Sequence, residues 1–323
     1  MIDSPRLKRV AVLYGGNSPE REVSLSSGAS VCKGLGEAGL DVEPLERETA
    51  GEFIDAISRS KADVFFVALH GGWGEDGRLQ SVLELMGRSY TGSGPGSCAL
   101  AMDKAASKAV FAKRGIPTPQ AMTLKRDSTV SVKDASTRLE KLVRRWGKVV
   151  VKPSGCGSTV GITIVDSPET LAGAIDEASR LDGTILVERY IAGKEITVTV
   201  WQEGSVIRCL PAIEIVPKKG FYTYEAKYTP GRTDYLCPAP LEKAVAERVE
   251  KISAAAHRSL GCGVYSRVDL RLSDKGVPYV LEVNTAPGMT ATSLVPKSAR
   301  AEGWDFPELL RRISENSLAA ERK

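Results

Sequence analysis

The chain has 323 residues, long enough for two or three domains, each with its own core. Its 44 basic residues against 40 acidic ones include no long single-sign run, which argues against a nucleic-acid or membrane partner. Six scattered cysteines without a Cys-x-x-Cys pair, and only two histidines, disfavour both a disulfide framework and a zinc site. Reduced thiols and a cytoplasmic protein are expected.

The first element is a buried strand over 9–14, Arg-Val-Ala-Val-Leu-Tyr, ended by Gly15-Gly16. Its five apolar residues are too few for a signal-peptide core, and no run approaches a membrane span. A helix is expected next, with Ser18 as N-cap, Pro19 at its first position and Glu20 in its first turn. Glu20 suits either the helix dipole or a substrate ammonium. A strand over 63–69 and an amphipathic helix over 79–86 continue the alternation, which implies a parallel sheet flanked by helices. His70 sits at the carboxyl end of that strand, where open parallel sheets place ligands, and glycines follow it. The alternative is a histidine satisfied by local backbone. Gly92-Ser-Gly-Pro-Gly96 closes this first unit, taken as residues 1–95.

The second unit, 96–190, reads as a helix over 97–113, a helix over 135–146 and a strand over 148–152. The run Pro153-Ser-Gly-Cys-Gly-Ser-Thr-Val-Gly161 then leads to a strand over 162–165, a helix over 168–180 and a strand over 184–188. Lys152 at a strand end, followed by glycines, Ser158 and Thr159, has the composition of a phosphate clamp. A plain hairpin turn fits the same residues equally well. Neither a Walker A loop nor a Gly-x-Gly-x-x-Gly fingerprint is present, which disfavours a dinucleotide-dependent dehydrogenase.

The third unit, 191–323, opens with strands over 195–202 and 206–210. An irregular stretch over 217–238 places Lys218, Lys219 and Lys227 beside Tyr222, Tyr224 and Tyr228, the makings of a lid over phosphates or of a packed aromatic loop. A helix over 240–260 precedes two strands, 265–272 and 278–284, joined by a turn at Asp274-Lys275-Gly276. Period-two alternation puts Arg267 with Asp269, and Glu282 with Asn284, on one face. The hairpin register sets Asp269 opposite Glu282 and Arg267 opposite Asn284, with Val268, Leu270, Leu272, Leu281 and Val283 forming an apolar opposite face. Two carboxylates and an amide oxygen in register suit a hard cation such as magnesium, the alternative being a solvated strand face.

Six motifs occur in one order: Gly-Gly-x-Ser-x-Glu-Arg-Glu-Val-Ser (15–24), His-Gly-x-x-Gly-Glu-Asp-Gly (70–77), Met-Asp-Lys (102–104), Lys-Pro-Ser-x-x-Gly-Ser (152–158), Tyr-Glu-Ala-Lys-Tyr (224–228) and Glu-Val-Asn-Thr-x-Pro-Gly-Met-Thr (282–290). Over nearly the whole chain this pattern resembles the ATP-grasp ligases, specifically the D-alanine–D-alanine ligases. The resemblance implies an N-terminal Rossmann-like parallel-sheet domain, a small central α+β domain and a C-terminal α+β domain with a mainly antiparallel sheet. It implies joining of two D-alanines through an acyl phosphate for peptidoglycan precursor synthesis, hence cell-wall biogenesis and cell shape, with ATP and two Mg²⁺ ions (or Mn²⁺) in a cytoplasmic homodimer. Asp269, Glu282 and Asn284 would hold the metals, and Lys104, Lys152 and Lys227 the phosphates under the Ser158 loop. Glu188, Glu195 and Phe221 would bind the nucleoside. Glu20 and His70 would bind the first substrate, Ser293 and Leu294 the second, and Arg267 with the Gly288 N–H would form an oxyanion hole. Ser158 and Tyr228, bonded to Glu20, would close the loop. Tyr228 favours the dipeptide over a D-lactate ester, without excluding D-serine. Gly155-Cys156 and Thr159 depart from the residues usual there, and Cys156 suggests sensitivity to thiol oxidation. The competing expectations are a sister ligase for another amino or hydroxy acid, and a nucleotide-binding paralogue without chemistry.

Overall fold

The computed structural model describes residues 7–125, 132–157, 160–218, 229 and 231–320, with backbone alone over 132–138. The N-terminal sheet has the order β2 (Asp41–Arg47), β1 (Arg9–Gly15), β3 (Val64–Val67), all parallel. Its central strand is almost wholly buried because helices cover both sides, namely α1 (Arg21–Glu37), α2 (Ala50–Arg59) and α3 (Arg78–Leu85). The strand β2 and the helix α2 were not anticipated. β2 is an edge strand in which only Leu45 is fully buried, with Val42 half-buried and Pro44 between them, so it lacks the apolar run of its neighbours. α2 did carry a signal, the Thr49/Glu52 capping box.

Ser18 does not cap α1. Its hydroxyl donates to the His70 carbonyl at 2.6 Å and accepts the Glu20 N–H at 3.1 Å, so 18–20 form a turn and the helix starts at Arg21.

The middle of the chain forms an antiparallel sheet, β4 (Ala121–Lys125), β7 (Thr184–Arg189), β5 (Val149–Pro153), β6 (Thr163–Val165) in spatial order. One face packs on α6 (Val132–Trp146) and α7 (Leu171–Ser179) through Leu139, Val143, Ile175 and Ala178. The single helix expected over 97–113 is two: α4 (Pro95–Met102) and α5 (Lys104–Lys113), broken at Asp103, whose extended backbone and side chain cap the second.

The C-terminal sheet runs β11 (Thr233–Leu236), β10 (Ile213–Pro217), β8 (Lys194–Glu203), β12 (Tyr265–Leu272), β13 (Pro278–Asn284), with β9 (Val206–Cys209) also on β8. β11 lies inside the stretch over 217–238 read as irregular, and pairs antiparallel with β10, Pro217 opposite Thr233. The helix α8 (Lys243–Ser259) covers the hairpin's apolar face through Val249 and Ala256. Helices α9 (Leu294–Ala301) and α10 (Phe306–Ala319) return the chain to the first unit. There α10 packs so closely on α1 that a Cβ on Gly34 would lie 2.6 Å from Leu310 Cδ1. One apolar cluster, including Val31, Leu35, Trp201 and Leu310, therefore spans the beginning and end of the chain. That closure sets the loop after β13 against the loops of the parallel sheet. Among the described residues, no helix is long and apolar enough to cross a membrane.

Candidate active site

A cavity of about 620 Å³ opens where the three sheets meet. Its floor is the β12–β13 hairpin, in the register anticipated: Asp269 pairs with Glu282, and Arg267 with Asn284. All four side chains line the cavity. One detail differs from regular alternation. The register shifts between Asp269 and Leu270, which pairs with Val280, so Leu281 is a bulge residue. Val280 and Val283 therefore enter the core while Leu281 turns to the cavity, and the apolar face is Val280/Val283 rather than Leu281/Val283.

The Arg267 guanidinium grips both oxygens of Asp269, with Nε donating to Oδ1 at 2.9 Å and, more weakly, to Oδ2 at 3.3 Å, and Nη2 donating to Oδ2 at 2.7 Å. Thr197 of β8 donates to Oδ1 at 2.6 Å. The Asn284 amide oxygen accepts the Ala286 N–H at 2.9 Å, which fixes its orientation. Among the described residues no group of three His, Cys, Asp or Glu side chains could hold a metal alone. Two carboxylates and an amide oxygen form an incomplete oxygen set. Magnesium bound through one or two carboxylates and the oxygens of a substrate phosphate fits such a set.

Two lysines face the hairpin. The Lys104 ammonium, buried at the start of α5, lies 3.1 Å from Glu282 Oε2 and donates to the Cys156 carbonyl at 2.7 Å. Burial works against its charge, but Glu282 outweighs it and raises the ammonium's pKa. Asp103 anchors this lysine. Its Oδ1 accepts from the Ala105 and Ala106 N–H groups and from the Ser154 hydroxyl at 2.7 Å. Burial opposes ionisation of Asp103, yet these donors leave its pKa below the ordinary value. Lys152, at the end of β5, lines the cavity and pairs with Glu188 Oε2 at 2.9 Å. Glu188 itself is 2 % exposed and lies behind Lys152 rather than on the wall. Glu195 does reach the wall, 3.4 Å from Arg271, whose guanidinium also holds the Ile191 and Gly193 carbonyls.

The parallel-sheet loops supply the opposite wall. The Glu20 carboxylate is bracketed by two glycine loops: a Cβ on Gly71 would stand 2.8 Å from Oε2, and one on Gly157 3.5 Å away. Gly71 also has φ +68°, where a side chain is strained, so only glycine admits the carboxylate there. His70 lies inside a polar chain rather than against local backbone. Nδ1 is 3.2 Å from Glu75 Oε1 and Nε2 is 3.0 Å from Ser27 Oγ, which accepts the Met289 N–H at 3.4 Å. The Glu75 carboxylate only accepts, so Nδ1 carries a proton toward it, and in the neutral ring Nε2 accepts from the Ser27 hydroxyl.

Gly288, Ser293 and Leu294 line the cavity near this wall, with Ser293 Oγ 2.8 Å from Thr290 Oγ1. Ser158, Phe221, Lys227 and Tyr228 lie outside the described residues, as do Lys219, Tyr222 and Tyr224 of the expected lid. Sequence reasoning missed Ser27, Glu75, Thr197 and Lys108, each of which acts through another side chain. Glu75 was visible inside the His-Gly-x-x-Gly-Glu motif and Ser27 three residues beyond the first motif. Cys156 is half-buried, and burial with Asp182 nearby raises its thiol pKa, so the structure gives no support to a reactive thiolate there.

A parallel-sheet unit, a small antiparallel unit and a larger antiparallel sheet enclosing lysines opposite an acidic hairpin define an ATP-grasp ligase. Residues 54–93 match the family model for the D-ala D-ala ligase N-terminus, and residues 110–315 that for the D-ala D-ala ligase C-terminus. A D-alanine–D-alanine ligase from an Anaeromyxobacter species is 46% identical over 308 residues, covering 95% of this chain and 96% of that one. The crystal structure of D-alanine–D-alanine ligase from Bacillus anthracis matches with TM-score 0.84 at 36% identity, over 96% of this chain and 97% of that one. The same enzyme complexed with ATP matches with TM-score 0.82 at 33% identity, over 96% and 97% of the two chains. The chain belongs to the D-alanine–D-alanine ligase family.

Proposed function

We propose that this chain joins two D-alanines into D-alanyl-D-alanine at the expense of ATP, for peptidoglycan precursor synthesis in the cytoplasm, acting as a homodimer. The observation that carries it is the opposition of Lys104 and Lys152 to the Arg267/Asp269/Glu282/Asn284 face across one cavity. A carboxylate oxygen of the first D-alanine attacks the γ-phosphorus of ATP, the bond to ADP breaks, and an acyl phosphate forms. The amine of the second D-alanine then attacks the carbonyl carbon, loses a proton and expels phosphate.

Each residue has a task in that sequence. Approach of a carboxylate to a polyphosphate is repulsive, so Lys104 and Lys152, with Lys227, screen the charge. Asp269, Glu282 and Asn284 would hold two Mg²⁺ ions, or Mn²⁺, which when bound neutralise charge on the phosphate oxygens. Glu195 and Phe221 bind the nucleoside end, while Glu188, expected from the sequence to do so as well, is buried behind Lys152 and pairs with that lysine. Glu20 pairs with the ammonium of the first substrate and His70 lies by its carboxyl group, while Ser293 and Leu294 receive the second. Arg267 and the Gly288 N–H face the oxygen that becomes anionic at the tetrahedral stage. Ser158 and Tyr228 close the glycine loop toward Glu20 and keep water from the acyl phosphate. Division into units 1–95, 96–190 and 191–323 lets such closure occur by movement of the middle unit.

The test is ADP and phosphate release with D-alanine as sole amino acid, with dipeptide identified by mass. Equal amounts of ADP and dipeptide are expected. Release only with D-serine or D-lactate, or none at all, would remove the assignment.

A further inference from the structure

Lys108 stands one turn after Lys104 on α5, and its side chain is nearly as buried. Its ammonium lies 2.9 Å from Glu188 Oε1 and donates to the Thr118 hydroxyl at 2.6 Å, while Thr118 donates to the Val280 carbonyl at 2.8 Å. Lys152 reaches the other oxygen of the same carboxylate, also at 2.9 Å. Side-chain exposures are 7 %, 2 % and 6 % for Lys108, Glu188 and Lys152, so water does little to screen the three. One carboxylate thus serves two ammonium groups, and the cluster carries a net positive charge away from solvent. A buried uncompensated cation is costly unless a ligand completes it. Of the two, only Lys152 faces the cavity.

We propose that Lys108 is a positioning residue for nucleotide binding: by sharing Glu188 it leaves the Lys152 ammonium unneutralised and directed at the cavity, where a polyphosphate completes the charge balance. Without Lys108, Glu188 and Lys152 would form a closed one-to-one pair and present no net charge to phosphate. The inference rests on Lys152 facing phosphate, as proposed above. A pH signature accompanies it. Burial, Glu188 and Lys152 together leave Lys108 with a pKa lowered to about 8, Glu188 and Lys152 being the charged groups that act on it. Lys108 therefore loses its proton as pH rises through that value, and the cluster becomes neutral.

The test compares K108M, K152M and the pair K108M/E188Q in the full-length enzyme. Readouts are calorimetric binding of a non-hydrolysable ATP analogue and the KM values for ATP and D-alanine. In K108M, analogue binding should weaken and the ATP KM rise by roughly tenfold to a hundredfold, the usual range for losing a charged partner, with the D-alanine KM unchanged. The pair, which restores one positive charge, should recover most of the loss, a rescue that lost packing alone would not give. Wild-type ATP KM should climb between pH 7 and 9, and that of K108M should stay flat. If K108M does not fold, the pair carries the test through its ATP KM, expected near wild type and overturning the proposal if raised as in K152M. Normal ATP affinity in K108M, or equal losses for ATP and D-alanine, overturns it while K152M remains impaired. Normal ATP affinity in K152M would overturn the phosphate role of Lys152 and this inference together.

Discussion

Arg267 and Asp269, two residues apart on β12, are joined through both carboxylate oxygens, the shorter hydrogen bonds being 2.9 and 2.7 Å, with Thr197 pinning the carboxylate from the neighbouring strand. The group proposed to face the developing oxyanion is thereby oriented by a group proposed to hold metal. Phosphoryl transfer and amide formation would share one rigid strand, and a change at either residue should be felt by the other.

Arg267→Lys should therefore not behave as a conservative change. Lysine keeps the charge but loses the planar fork that meets both Asp269 oxygens. The expected result is a kcat lower by about 10²–10³, the usual scale for losing an oxyanion donor, with the ATP KM within a few-fold of wild type. Steady-state kinetics at saturating D-alanine checks this, and near-normal kcat would show that the guanidinium geometry is dispensable.

Asp269→Ala and Glu282→Ala should abolish turnover even at saturating magnesium. The described residues offer no third acid to replace either, and Glu282 also balances buried Lys104. Magnesium titrations of both variants test this. Near-normal turnover in either variant with an unchanged magnesium requirement would refute the proposed metal-holding role.

The Asp103–Ser154 contact ties the start of α5 to the end of β5, and so ties Lys104 to the strand that bears Lys152. Asp103→Ala removes a helix cap and should cost about 1–2 kcal/mol of stability. Asp103→Asn keeps the capping acceptor and should recover most of it. Ser154→Ala should raise the ATP KM more than the D-alanine KM, because it loosens the phosphate wall alone. Urea melts and paired substrate titrations separate these outcomes; equal effects on both KM values would mean the contact serves the fold in general.

Local pattern carried much of this in advance, and its failures have physical causes. Alternation over 265–272 and 278–284 placed Arg267, Asp269, Glu282 and Asn284 on one face and paired them correctly. It could not show the bulge at Leu281, which depends on the turn and on the packing of Val280 and Val283 beneath α8. The break at Asp103 was hidden because Asp is tolerable inside a helix; it caps α5 by accepting the Ala105 and Ala106 N–H groups, and its tie to the Ser154 hydroxyl, fifty-one positions away, leaves no local sequence signal. β2 and β11 were missed as polar edge strands, whose pairing comes from their neighbours rather than from hydrophobic periodicity. Ser27, Glu75 and Lys108 each act through a side chain brought from another element or turn, which single-sequence spacing does not reveal.

His257 gives a prediction away from the cavity. On α8 it is fully buried, with Nε2 donating to Gln202 Oε1 at 3.0 Å and Nδ1 accepting from Ser266 Oγ at 2.8 Å. Gln202 is oriented by its own bond to the Gly204 carbonyl, so the ring is held neutral with the proton on Nε2. Burial, aided by Arg258, lowers its pKa to about 4 from the ordinary 6.5. The unfolded chain therefore binds this proton more readily than the folded one between those values. The contribution is fully present above pH 6.5, declines as pH falls, and by pH 4 has diminished by about 3 kcal/mol. Urea unfolding followed by the fluorescence of Trp201, adjacent to Gln202 on β8, should show that decline in the wild type. His257→Gln should be less stable at pH 7.5 but lose less between pH 6.5 and 4.5. Parallel slopes in the two proteins would mean that other groups set the acid limb.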